Sequence, residues 1–279
     1  MKVKKNANAK INIGLEVLNK RGDNFHNINT IFYTLNDLYD ELIFEKNDSN
    51  EIKINSNISE LNNSDNLIAK AIKKIERKKK KKFGLNIELI KNIPMGAGLG
   101  GGSSDAAVII NAVDQIYELG LSYNEKLILA QAVGSDVPFF LQGGAALGRS
   151  RGETLTYFDY QVPYKIVIVF PDIHVSTPTA YKKLDRDFTP RKMIDFVSIL
   201  EKAKDNPFLL RNMIKNDFEK PIFEMHPELK EIKNKLYEQG AIFSQMSGSG
   251  SSVYAFFDEI SDINRLRNIF PNYKVFSAS

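Results

Sequence analysis

The plainest chemical potential in this sequence lies in residues 92–107, NIPMGAGLGGGSSDAA, between an apolar run and a helical pattern. Gly96, Gly98, Gly100, Gly101 and Gly102 carry no side chain, so backbone N–H groups there can close on an anion. The helix that follows adds its unpaired N–H groups and the positive end of its dipole. Ser103 and Ser104 supply hydroxyls that can donate to phosphate or reach a metal ion. A polyphosphate is the ligand such a stretch suits. Gly96, Gly98 and Gly101 also satisfy G-x-G-x-x-G, but a dinucleotide fold needs a following strand and an acidic residue about 20 positions on. Here the pattern predicts a second helix instead. No lysine follows the glycines as in a Walker loop, and H-R-D-L and D-F-G runs are missing, which removes the P-loop and protein-kinase readings. A turn that is glycine-rich only for close packing is the bland alternative.

The other candidate groups are individually ambiguous. Ala9, Ile11, Ile13, Leu15 and Val17 alternate with Lys10, Asn12, Gly14 and Glu16, which predicts a half-buried strand with Lys10 and Asn12 side by side, away from the core. By residue type they are exposed strand residues, and Asp136 in GSDVP reads as a helix cap. Phe25 reads as core, His26 as a surface histidine and Tyr181 as a helix-packing ring. Asn66 and Lys91 read as a polar helix start and a strand-end lysine. The Gly/Ser run at 246–252 reads as a turn between strands, and His174 and His226 have no partner at ligand spacing, so no metal cage is expected.

The elements that must carry these groups are β-rich before the glycine loop and helical after it. Strands are predicted at 29–35, 40–46, 51–55 and 85–91, with a helix at 66–77 opened by a Ser64 or Asp65 cap. Helices at 104–119 and 124–133 should stop at Gly120 and Gly134. A hairpin at 146–158 and an apolar strand at 164–170 follow, then helices near 191–203, 207–217 and 227–239 and strands at 241–246 and 253–257. A domain boundary near residue 160 divides the chain into 1–160 and 161–279.

Composition bounds the rest. A chain of 279 residues with 43% hydrophobic and 26% charged residues is that of a globular protein with one large or two smaller domains. The absence of cysteine excludes disulfides, thiolate metal sites and a cysteine nucleophile. No apolar run has secretory or membrane-spanning length, so a cytoplasmic location is expected. The net charge of +4 owes much to Lys78–Lys82, where no aromatic residue interleaves the run; a solvated helix end fits it better than a nucleic-acid patch.

Pro94 followed by MGAGLGGGSSDAA resembles the phosphate loop of the GHMP kinase superfamily, and AKINIGLEV at 9–17 and QMSGSGSSVYAFF at 245–257 resemble two further motifs of it, in the same order. GDNFHNINTIF, SDNLIAKA and GSDVPFFLQGGAALGRSRGE bring the chain nearest to the branch that phosphorylates a cytidine-diphosphate-linked methylerythritol. That likeness runs from about residue 7 to residue 258. Homoserine, mevalonate and galactose kinases share parts of the set.

The resemblance implies an α+β fold of two domains, the N-terminal one ribosomal-protein-like, with the active site in the cleft between them. It implies transfer of the γ-phosphoryl group of ATP to a 2-hydroxyl, with Mg²⁺ arriving on ATP and touching Ser104, and Lys10 and Asp136 as the catalytic pair. Asn12, Phe25, His26 and Tyr181 become substrate contacts, the two rings enclosing cytosine and His26 reading its edge. Asn66, Lys91, Pro94, Gly96, Gly98, Leu99, Gly100, Gly101, Gly102, Ser103 and Ser104 become ATP contacts, and the loop at 246–252 borders the site. DNFH stands where the family most often has Asp-Gly-Tyr-His; Asn24 can take the glycine's left-handed backbone, and Phe25 keeps the ring without the hydroxyl. The partners implied are the small molecule and ATP, without nucleic acid or membrane, for a monomer or homodimer. Another GHMP kinase, or a nucleotide-binding regulator without turnover, is the alternative.

Overall fold

The computed structural model describes residues 2–63, 66–184, 192–259 and 262–278. Contacts divide the chain into two units that alternate along the sequence. One takes Met1–Ala9, Leu38–Met95 and Gly100–Gly143; the other takes Lys10–Asp37, Gly96–Leu99 and Gly144–Ser279. Residue 160, the expected boundary, lies inside the second unit. The units alternate because two long paired strands, β1 (Lys2–Lys20) and β2 (His26–Lys46), contribute residues to both. β2 joins the two shorter strands expected at 29–35 and 40–46. Asn36 and Asp37 interrupt the apolar pattern and are exposed, but the backbone stays extended through them.

In the first unit, β3 (Ile52–Ser56) is followed by α1 (Leu67–Lys79), β4 (Leu85–Ile90), α2 (Gly101–Tyr117) and α3 (Tyr123–Gln131). β3 runs parallel to β4, with Ile52 opposite Leu85, and β4 runs antiparallel to residues 41–46 of β2. Leu85, Ile87 and Leu89 are buried while Asn86 and Glu88 are exposed, so one face of the sheet is covered. What covers it is apolar at helical spacing: Ile68, Ile72 and Ile75 of α1, and Ile109, Ile110, Val113 and Ile116 of α2. Each such side chain contributes about 1.5–3 kcal/mol of burial before the cost of ordering it.

The helix ends follow from side chains. The Asn66 side chain accepts from the Ala69 N–H at 2.8 Å, so Asn66 caps α1; Ser64 and Asp65, expected as caps, lie outside the described residues. The lysine run is the end of α1 and the turn after it. Lys80 is left-handed (φ 49°), Lys78 pairs with Glu125 at 2.9 Å and Lys82 with Glu76 at 3.0 Å. α2 turns left-handed at Glu118, two residues before the expected stop at Gly120. At α3, Ser122 and Glu125 form a reciprocal capping box.

The second unit continues with β5 (Ala145–Arg149), β6 (Thr154–Phe158), β7 (Lys165–Phe170), α4 (Thr177–Lys183), α5 (Phe196–Ala203), α6 (Phe208–Met213), α7 (Glu219–Met225), α8 (Pro227–Glu238), β8 (Phe243–Met246), β9 (Val253–Phe257), α9 (Ile263–Ile269) and β10 (Lys274–Ala278). Residues 30–33 of β2 pair antiparallel with β5, which forms the expected hairpin with β6. A separate antiparallel sheet has the order β10-β7-β9-β8. β7, β8 and β9 are almost wholly apolar or buried, which is why they read as continuous runs. The helix expected at 207–217 stops at Met213, because the next residues bond to β1: Leu15 N–H donates to Lys215 O and Asp217 N–H to Leu15 O, each at 2.9 Å. The one expected near 191–203 begins only at Phe196, with residue 191 outside the described residues.

Among the described residues no helix is long and apolar enough to cross a membrane. Ser122→Ala removes the side-chain half of the α3 cap and is expected to cost about 1 kcal/mol in urea unfolding, with turnover unchanged.

Candidate active site

β1 does not present Lys10 and Asn12 to solvent as a half-buried strand would. Ala9, Ile11 and Ile13 are buried as expected, but Lys10 and Asn12 are buried too, at 3% and 2% exposure. The two do lie together: Lys10 Nζ donates to Asn12 Oδ1 at 2.5 Å and to the carbonyl of Gly98 at 2.9 Å. Asn12 Nδ2 donates to Thr30 Oγ1 at 3.0 Å, and the Asn12 N–H to Ser247 Oγ at 3.3 Å. Their face of the strand is thus covered by polar partners rather than water, a difference that alternation alone does not show. An ammonium held this way sits at a fixed point on the glycine loop.

The loop itself has the geometry its composition suggests. Gly96, Gly98 and Gly100 have φ of 64°, 76° and 73°. At Gly98 the requirement is double, because a Cβ would also lie 2.1 Å from the carbonyl oxygen of Ser247. Gly101 is needed for space: a Cβ there would stand 3.0 Å from Ile93 and 3.1 Å from Lys91 Nζ. Gly100 is the N-cap of α2, so the helix's first N–H groups open at Gly101, Gly102 and Ser103, with Gly102 exposed, Ser103 half-buried and Ser104 buried. Leu99 is buried and its carbonyl accepts from the Lys10 N–H at 2.9 Å; Pro94 is half-buried at the loop's entry. The exposed ring of His174, expected from the sequence to have no ligand partner, lies against Gly96, where a Cβ would meet its Nδ1 at 2.3 Å.

Lys91 is buried beneath the start of α2 with two carboxylates. Its Nζ donates to Asp105 Oδ2 at 2.8 Å and to Asp40 Oδ2, while Asp40 Oδ1 accepts the N–H groups of Asn92 at 2.7 Å and Ile93 at 2.8 Å. Burial pulls the Lys91 ammonium down, but Asp105 and Asp40 outweigh it and hold Lys91 above the ordinary lysine range. Burial pushes the Asp105 carboxyl up to about 7, against the pull of Lys91 and with Asp40 adding to the rise. Lys91 therefore braces the strand-to-loop segment from below. Asp105 and Asp40 were not singled out by sequence; the signal available was Asp105 directly after the serine pair.

The aromatic candidates gather in the second unit. Asn24 is left-handed (φ 65°), as its replacement of a glycine requires, and Asp23 Oδ1 accepts the Phe25 N–H at 3.2 Å to close the turn. Phe25 is 50% exposed, with the Arg151 guanidinium 4.8 Å from its ring centre. Tyr181 stacks on His26, centroids 4.9 Å apart and planes 9° from parallel, and meets Phe218 edge-on at 4.9 Å. Burial, and then the charge of Lys20, hold His26 below the ordinary histidine value, so the ring is neutral at pH 7 with one donor and one acceptor.

Asp136 lies half-buried in the turn after α3, in the first unit, two residues before the Pro138 that opens the 3₁₀ turn at Phe139–Leu141. Asn66, the cap of α1, is also in the first unit. The Gly/Ser loop between β8 and β9 meets the glycine loop directly: Ser247 Oγ donates to Gly98 O at 2.9 Å, and the Ser252 N–H to Ala97 O at 3.1 Å.

These loops and this element order define a GHMP kinase: the model of the GHMP kinases N terminal domain matches residues 66–144, and that of the GHMP kinases C terminal domain matches 199–274. Over 256 residues the chain is 36% identical to the 4-diphosphocytidyl-2-C-methyl-D-erythritol kinase of Chlorobaculum tepidum, covering 91% of this chain and 88% of that one. It is 38% identical over 276 residues to the enzyme of the same name from Thermoanaerobacter pseudethanolicus, covering 98% and 92%. A crystal structure of 4-(cytidine 5'-diphospho)-2C-methyl-D-erythritol kinase matches the fold with a TM-score of 0.84 at 31% identity, over 99% of this chain and 98% of that one. The chain belongs to the 4-diphosphocytidyl-2-C-methyl-D-erythritol kinase family.

Two outcomes follow from the geometry. Gly98→Ala is expected to weaken MgADP binding at least about tenfold by titration calorimetry, because the left-handed backbone and the Ser247 carbonyl both oppose a Cβ. Asp105 holds its proton more tightly folded than unfolded, so its contribution to stability is complete below about pH 4 and is lost as pH rises through about 7. Asp105→Asn should flatten that fall in urea unfolding between about pH 5 and 8; curves parallel to wild type would refute it.

Proposed function

We propose that the chain transfers the γ-phosphoryl group of MgATP to the 2-hydroxyl of 4-diphosphocytidyl-2-C-methyl-D-erythritol, giving the 2-phosphate and ADP for non-mevalonate isoprenoid synthesis. The shared name of the relatives supports the substrate. The observation that carries the chemistry is the Lys10 ammonium hydrogen-bonded to the Gly98 carbonyl, which ties a cation to the phosphate loop itself. In this reading the N–H groups at the start of α2, with Ser103 and Ser104, receive the ATP phosphates, and Mg²⁺ arrives bound to them. Asn66, Pro94, Leu99 and the loop glycines shape the rest of the ATP site, with Lys91 supporting it from beneath.

Asp136 accepts the proton of the 2-hydroxyl as that oxygen bonds to the γ-phosphorus and the bond from the γ-phosphorus to the ADP oxygen breaks. Lys10 offsets charge on the moving phosphoryl group, and Asn12 orients Lys10 and the acceptor. Phe25 stacks on the cytosine and neutral His26 reads its edge with one donor and one acceptor; Tyr181, expected as the second ring on the cytosine, stacks on His26 instead and in this reading holds that ring in place. The reaction belongs to the cytoplasm, where ATP is available.

Coupled ADP release on this acceptor is expected for the wild type. Asp136→Asn should lower kcat about 10²- to 10⁴-fold with MgADP affinity retained. Wild-type protein that binds MgADP and leaves the acceptor untouched would sink the assignment.

A further inference from the structure

A buried polar side chain that none of the roles above uses is Asn216, between α6 and α7, 4% exposed. Its Nδ2 donates to the carbonyls of Met246 and Gly248, each at 2.8 Å, the residues on either side of Ser247. Its Oδ1 accepts the N–H of Phe218 at 2.9 Å. The side chain is thereby fixed at both ends. Its backbone is fixed as well: the flanking residues bond to Leu15 of β1, and Asp217 Oδ2 accepts the Val17 N–H at 2.6 Å. One residue thus clamps the Gly/Ser loop to the strand that carries Lys10 and Asn12.

What the clamp sets is the position of Ser247. The Ser247 hydroxyl donates to Gly98 O at 2.9 Å, and Gly98 O also accepts Lys10 Nζ at 2.9 Å. Gly248 packs so near that a Cβ on it would be 3.2 Å from Asn12 Oδ1 and 3.6 Å from Lys10 Nζ. A shift of Met246 and Gly248 therefore moves Ser247, then the Gly98 carbonyl, then the ammonium that the carbonyl holds.

We propose that Asn216 is a positioning residue of the kinase, acting through Ser247 to hold the Gly98 carbonyl and Lys10 at the phosphate loop. The inference rests on the reading of residues 96–104 as the nucleotide phosphate loop. It does not depend on the identity of the acceptor alcohol.

Asn216→Asp keeps the shape and the acceptor for Phe218 and replaces the two donated hydrogen bonds by an anion facing two carbonyls. MgADP affinity by titration calorimetry and kcat from ADP release are read together with the urea midpoint. The expected result is a folded protein with MgADP binding weakened about tenfold and kcat lowered about tenfold or more. Ser247→Ala should move both quantities in the same direction, and the double variant should be no worse than the poorer single one, since both act on Gly98. A purely structural role would lower the midpoint and leave the affinity and kcat of folded protein within about twofold of wild type; that result, or additive effects in the double variant, would overturn the proposal. If Asn216→Asp does not fold, Ser247→Ala is read against Ser244→Ala, which deletes a buried hydroxyl on β8 bonded to Tyr254 O. Equal affinities in those two overturn it. Failure of the acceptor reading shows separately, as MgADP binding without turnover.

Discussion

One carbonyl oxygen organises the candidate site residues of the second unit. Gly98 O accepts a hydroxyl from the Gly/Ser loop and an ammonium from the N-terminal strand, using both lone pairs. The three motifs are far apart in sequence, and this atom is where their positions become mutually dependent. The left-handed backbone at Gly98 aims the carbonyl there, and the missing Cβ lets the Ser247 backbone approach. Glycine thus serves two ends at this position: room for the Ser247 backbone, and a carbonyl turned toward the protein's own cation.

Within the first unit, the segment that leads from β4 to Met95 is held by a different physical means. Beneath α2 the Lys91 ammonium is shared by two carboxylates, one of which also takes the N–H groups of the strand-to-loop segment. A cation between two buried anions satisfies only part of their charge, which is why burial leaves Asp105 with a raised affinity for its proton. At Gly98 itself, in the second unit, the partners are a neutral hydroxyl and the Lys10 ammonium.

Much of this was legible in the sequence, and the limits have physical causes. The glycine loop, the strand-helix-strand succession of β3, α1 and β4, and the strands around the Gly/Ser turn follow from periodicity and turn residues, because local chemistry decides them. The left-handed turn at Asn24 was legible for the same reason. Burial of Lys10 and Asn12 was not, since alternation tells which side chains share a face and says nothing of what covers it. Asn216 and Asp40 escaped because the partners that give them a role lie 30 residues or more away, as in Asn216 with Met246 and Asp40 with Ile93. The stop of α6 at Met213 is likewise a tertiary effect, imposed by pairing with Leu15.

The interleaving of the two units bears on how the chain comes off the ribosome. The first unit is complete once Gly143 has emerged, whereas Lys10–Asp37 and Gly96–Leu99, made early, belong with residues that come later. Gly98 and Ser247 are 149 positions apart. For more than half the synthesis of the protein the strand that carries Lys10 and the front of the glycine loop lack the hydrogen bond from Ser247 that joins them at Gly98. The geometry around Gly98 is therefore among the last features the chain can complete, since it waits on residues made near position 247.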